Sequence, residues 1–144
     1  MRLRLAACVF VLASAFAGPA RADVRFTLLT RGAVPSDGHA PDAAGRIVGS
    51  RTAARRRLRA WDLDRALTKA AKVDFSRRRL VILIARGTST ADRLDLRRLT
   101  TSGNRLDAAA RVTSTGIGGQ SLARTYTLVT VPRTVKATSV RLSL

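Results

Sequence analysis

The chain has 144 residues, a formal net charge of +18, one cysteine and no glutamate. That length suits one domain with a real hydrophobic core and is too short for several. The lone cysteine, Cys8, excludes a disulfide framework within the chain.

The start of the chain reads as an export leader. Arg2 and Arg4 supply positive charge, Leu5 to Ala17 an apolar stretch, and Gly18-Pro19 a helix breaker. Ala20-Arg21-Ala22 then offers the small-x-small pattern that signal peptidase cuts after, so residues 1–22 are expected to be a signal peptide. The apolar stretch falls short of the roughly 20 residues that span a bilayer, and no anchor is expected after cleavage. Leu5-Ala6-Ala7-Cys8 spells a lipoprotein box, yet a lipidated cysteine should follow the apolar region, and Cys8 lies near its beginning. Cys8 therefore reads as one more small apolar residue of the leader. The expected location is outside the cytoplasm, secreted or periplasmic.

Cleavage leaves residues 23–144 as a single domain. Losing Arg2, Arg4 and Arg21 reduces the 27 basic residues to 24, against nine aspartates, a formal +15. Only Lys69, Lys72 and Lys136 are lysine. Such a choice of residues fits the codon bias of a GC-rich genome; it also suits attraction to polyanions such as phosphate polymers, anionic cell-wall material, acidic lipid surfaces or nucleic acid. Both readings stand at this point.

Asp23 to Leu29 alternates Val24, Phe26 and Leu28 with other residues, the period of a half-buried strand. Residues 31–45 collect Gly32, Pro35, Gly38, Pro41 and Gly45 and are expected to be loop, with a short strand at Arg46-Ile47-Val48. Ser50 is placed to cap a helix over about Thr52 to Ala71, whose apolar face carries Ala54, Leu58 and Trp61, then Leu63, Ala66, Leu67 and Ala70. The phase shifts near Asp62, so the segment can divide into two helices. Arg55, Arg56, Arg57 and Arg59 form its densest positive cluster, either a solvated helix side or a patch for an anionic partner.

Leu80 to Ala85 is an unbroken, β-branched-rich apolar run, as in a strand covered on both faces, and is placed at the centre of the sheet. Leu94 and Leu96 share a face of the next strand, and Arg97-Arg98 disturbs its period as a bulge would. Ser102-Gly103-Asn104 supplies a hairpin turn into a strand that aligns Leu106, Ala108, Ala110 and Val112. After glycine-rich residues 116–119, Leu122 to Val131 and Ser139 to Leu144 read as further strands. Strands after helices without βαβ alternation predict an α+β fold, a largely antiparallel sheet with one or two helices in the N-terminal half.

The chain resembles the PrcB C-terminal domain family, named after a subunit of a bacterial surface protease complex. The likeness is carried by Val73-Asp74-Phe75-Ser76, a basic linker and a hydrophobic strand ending at Gly87, with Trp61 on the preceding helix. Thr125 to Pro132, containing Tyr126, matches the family's late strand running into Val-Pro. The matches span about residues 46–144. Where the family shows a Pro-Thr-Gly-Gly-Tyr-like stretch, this chain has Thr88-Ser89-Thr90-Ala91-Asp92, which puts any activity of that loop in doubt. The resemblance implies an exported accessory or interaction domain rather than an enzyme, with Trp61, Asp74, Phe75, Tyr126 and Pro132 in structural roles.

The residues themselves offer no catalytic constellation. His39 is the sole histidine and has no nucleophile motif with it. One histidine is too few for an ordinary zinc site, so neither metal nor cofactor is expected. Asp62 with Asp64, and Asp92 with Asp95, could make a weak calcium site or a carboxylate pair; as caps, turn formers and arginine partners they need no ligand. Gly116 to Gly119 lacks the Lys-Ser/Thr of a phosphate loop. Nucleic acid is disfavoured as a partner, since Phe26, Trp61, Phe75 and Tyr126 are too few aromatics for base stacking and export removes the chain from cytoplasmic nucleic acid. The first reading is a non-catalytic interaction domain with a protein partner; the alternatives are an electrostatic binder of anionic envelope polymers and a hydrolase of unrecognised type.

Overall fold

A computed structural model describes residues 20–35, 38–114 and 123–144. The apolar stretch at residues 5–17, which contains Cys8, and the glycine-rich residues 116–119 lie outside them. The chain runs β1 (Arg21–Asp23), β2 (Thr27–Pro35), β3 (Ala43–Val48), α1 (Arg51–Ala60), α2 (Asp64–Ala70), β4 (Arg78–Gly87), β5 (Arg93–Ser102), β6 (Arg105–Thr113), β7 (Ala123–Pro132) and β8 (Ser139–Ser143). The fold is α+β, as the order of patterns predicts.

The strands form two four-stranded sheets, in orders β1-β5-β6-β8 and β2-β7-β4-β3, where the sequence suggested one. All pairings are antiparallel except β6 with β8. The second sheet is the middle layer of three. Leu80, Ile82 and Ile84 of β4 pack with Tyr126 and Leu128 of β7 against the helices. The intervening Val81, Leu83, Ala85, Val129 and Val131 pack against Leu94, Leu99, Leu106, Ala108 and Ala110 of the first sheet. Period-two alternation thus sends successive side chains into two different cores, which is why Leu80 to Ala85 must be apolar throughout. The buried Thr127 hydroxyl donates to the carbonyl of Leu94 and ties the two sheets together.

The N-terminal alternation does not make one strand. Residues 24–26 lie between β1 and β2, with Val24 and Phe26 in the core between the sheets; Leu28 points to solvent at 50 % exposure, and Leu29 packs on the helix side. A register shift between Leu28 and Thr30 causes the change of face. The cut expected after Ala22 falls inside β1, where Arg21 and Ala22 pair with Ser102 and Thr101.

The composition of residues 31–45 also misleads. Gly32 to Pro35 continue β2, and β3 starts at Ala43. Gly32 is paired with Tyr126, and a Cβ there would stand 2.6 Å from the Tyr126 hydroxyl. Gly45 plays a similar part at the opposite edge, since a Cβ would come within 2.6 Å of Val140 Cγ1 in β8. These glycines admit close neighbours inside strands rather than marking turns. Gly103, by contrast, has φ +61 in the β5–β6 turn, as its neighbours predicted, and the bulge falls between Leu96 and Arg98.

Candidate functional site

Ser50 starts α1 by accepting a hydrogen bond from the Ala53 amide at 3.1 Å. The helix ends on Trp61 in a Schellman arrangement. The Leu63 amide donates to the Leu58 carbonyl at 2.8 Å, the Asp62 amide donates to Arg59 at 3.1 Å, and Asp62 sits at φ 57. Buried Leu58 and Leu63 supply the hydrophobic contact that accompanies this motif. Asp62 takes the place usually given to glycine. Its carboxylate accepts from the His39 amide at 2.6 Å and faces His39 Nδ1 at 3.2 Å, and the His39 amide chiefly holds it below the ordinary carboxylate range. This left-handed residue is the physical origin of the phase shift near Asp62, and it turns α2 away from the line of α1.

A groove of about 430 Å³ lies between the two helices. Arg51, Arg55 and Arg59 line it from α1; Leu67, Thr68, Ala70 and Ala71 line it from α2 and its C-terminal end, with Ala54 also contributing. The arginines recur every four residues, on one side of the helix. Among the described residues, none of the three forms an ion pair, whereas Arg31, Arg77, Arg98, Arg105 and Arg124 each lie against an aspartate.

The sequence cluster Arg55, Arg56, Arg57 and Arg59 is therefore divided by the helix. Arg55 and Arg59 face the groove, and Arg57 turns its guanidinium over Trp61 at 5.4 Å from the ring centroid, joined by Arg46 at 5.9 Å. Arg56 is exposed and is not among the groove residues. Arg51 was missed because it lies outside the dense run, although its four-residue spacing from Arg55 was readable.

The remaining residues singled out in the sequence build the scaffold. Trp61 and Tyr126 lie in the core between helices and sheet, at 5 % and 4 % exposure, and burial raises the Tyr126 phenol above its ordinary range. Asp74 accepts from the Ser76 hydroxyl at 2.6 Å and from the Ser76 amide at 3.0 Å, forming the turn into β4. These Ser76 contacts, with Arg77 nearby, hold the Asp74 carboxyl low. Phe75 packs on the helix-side core, and its carbonyl accepts from Arg133 at 2.6 Å. Pro132 ends β7, and its carbonyl accepts from the Val135 amide at 3.1 Å.

Asp92 and Asp95 are held by different partners. Asp92 accepts from the Thr88 amide at 2.6 Å and the Ser89 amide at 3.2 Å, closing the turn after β4. A Cβ at Gly87 would lie 3.0 Å from its Oδ2, so glycine gives the carboxylate room. Asp95 instead pairs with Arg31 at 2.8 Å and accepts from Thr113 at 3.0 Å. Asp64 opens α2, where its charge suits the helix dipole. His39, with 88 % of its side chain exposed, has Asp62 as its polar partner.

No known protein family, curated protein or solved structure matches the chain. The groove must be interpreted from its own chemistry. An apolar wall beside three cations offers complementary surface to a ligand with both apolar area and negative charge.

Proposed function

We propose that this is an exported, non-catalytic accessory domain of the PrcB-like type, which binds an acidic protein partner in the groove between α1 and α2. The observation that carries the proposal is the row Arg51, Arg55 and Arg59, without ion pairs among the described residues, along a groove with an apolar wall. Cationic walls steer an acidic partner and set its register, while apolar contact supplies affinity that salt does not remove. The PrcB-like residues support this role by building the frame: Trp61 anchors the end of α1, Asp74 and Phe75 form the exit from α2, and Tyr126 backs the helices from β7.

A second reading is attraction to anionic envelope polymers, supported by exposed Arg93, Arg97, Arg98, Arg111 and Arg141 on strands β5, β6 and β8. Capture from the exported and envelope fraction distinguishes the two. The domain and its R51E/R55E/R59E variant are immobilised and washed at rising salt. The protein-partner reading expects a discrete protein that survives moderate salt on the wild type and is absent from the variant. Heterogeneous, salt-labile material held equally by both contradicts it and favours the polymer reading.

A further inference from the structure

Resting on the acidic-partner reading of the same groove, we infer that its occupant is an amphipathic helix carrying carboxylates at positions i, i+4 and i+8, with apolar residues beside that row. Two features lead to this partner. The first is spacing. Arg51, Arg55 and Arg59 advance by about 6 Å per step along α1, a row of about 12 Å, and a helix with acids every fourth residue presents charges with that same advance. Laid alongside α1, it can offer one carboxylate to each guanidinium, in the geometry that favours charge-assisted hydrogen bonds.

The second feature is the opposite wall. Half-buried Leu67 and exposed Ala71 give apolar surface, and buried Ala54 and Ala70 form a floor small enough for another helix to approach closely. A phosphate polymer has no apolar group to place there. An extended acidic segment nearly matches this advance, at roughly 6.6–6.8 Å per two residues, but it puts its apolar residues on the face opposite its carboxylates. An amphipathic helix satisfies both walls at once, in the helix-in-groove mode of recognition.

The test uses the full chain and two labelled peptides of about 18 residues, each cross-linked to remain helical. One places glutamates at i, i+4 and i+8 beside a leucine row; the other has the same composition with the glutamates distributed around the helix. Anisotropy titrations at physiological salt should show the ordered peptide binding at least about tenfold more tightly, equivalent to about 1.4 kcal/mol. R51E/R55E/R59E and, separately, Leu67→Asp should remove that preference, with circular dichroism confirming that each variant is folded. Equal affinity for the two peptides overturns the helix inference; if the triple variant then loses both, the acidic-partner reading survives without it. Undiminished binding of both peptides by a folded triple variant overturns both proposals. Inorganic polyphosphate serves as a third probe, and tighter binding of it than of the ordered peptide, abolished by the triple variant, assigns the groove to polymers and likewise overturns the inference.

Discussion

Replacing Asp62 by glycine and by alanine isolates the backbone cost of the break that creates the groove. Both variants lose the carboxylate contacts with His39, so their difference reports the left-handed conformation at φ 57. A residue with a Cβ pays about 1–2 kcal/mol for that conformation, and glycine pays little. Against this, glycine loses roughly 0.4–1 kcal/mol more chain entropy on folding than alanine. The balance favours Asp62→Gly over Asp62→Ala by about 1 kcal/mol, or roughly 4 °C in Tm for a domain of this size. Urea denaturation of the two variants, with unchanged m-values as the control for two-state behaviour, gives the comparison. If Asp62→Ala is as stable as Asp62→Gly, residue 62 is not left-handed. In that event the Schellman ending of α1 is not what sets the direction of α2.

Three further expectations concern the frame. Ser50→Ala should cost about 1 kcal/mol by removing the cap from α1, measurable as a lowered urea midpoint. Gly45→Ala should cost about 1–3 kcal/mol, because its Cβ would meet Val140 at 2.6 Å, and combining it with Val140→Ala should recover part of the loss; a double-mutant cycle with no coupling would show that β3 and β8 do not meet there. The Asp92 carboxyl is held below its ordinary value of 3.8, first by the Thr88 amide and further by Ser114, Thr88 and Ser89. Its contribution is therefore present above the unfolded carboxyl pKa and is lost as pH falls through the lower folded value. Asp92→Asn should flatten this part of the acid unfolding curve below about pH 4, and an unchanged curve would contradict the assignment.

Much of the architecture was legible where one residue or one period carries the signal. Ser50 announces the cap, the phase change announces the helix break, and the run from Leu80 to Ala85 announces a doubly covered strand. Sheet membership was not legible. Period two tells which residues share a face, but pairings such as Arg21 with Ser102 or Ala43 with Ala85 connect distant segments whose local patterns do not name each other. Glycine misled for a related reason. Gly32 and Gly45 are required by Tyr126 and Val140, partners far along the chain, and without those partners the same residues resemble turn formers.

The groove was half legible. A dense arginine run drew attention to residues 55–59, but helix geometry sends Arg57 onto Trp61 and leaves Arg56 outside, while adding Arg51 from one turn earlier. Spacing of four was a better guide than local density, because residues four apart share a helix face and adjacent residues do not. The apolar wall depends on where α2 folds back, a direction set by the left-handed conformation of Asp62.

The most direct test of the partner groove is an amide chemical-shift map of the isotope-labelled domain, titrated with the ordered acidic peptide at physiological salt. The groove account predicts saturable shifts concentrated in residues 51–59 and 67–71, with little change at Arg105, Arg111 and Arg141. Small shifts spread over every arginine-bearing face, rising together and vanishing together with salt, would contradict it.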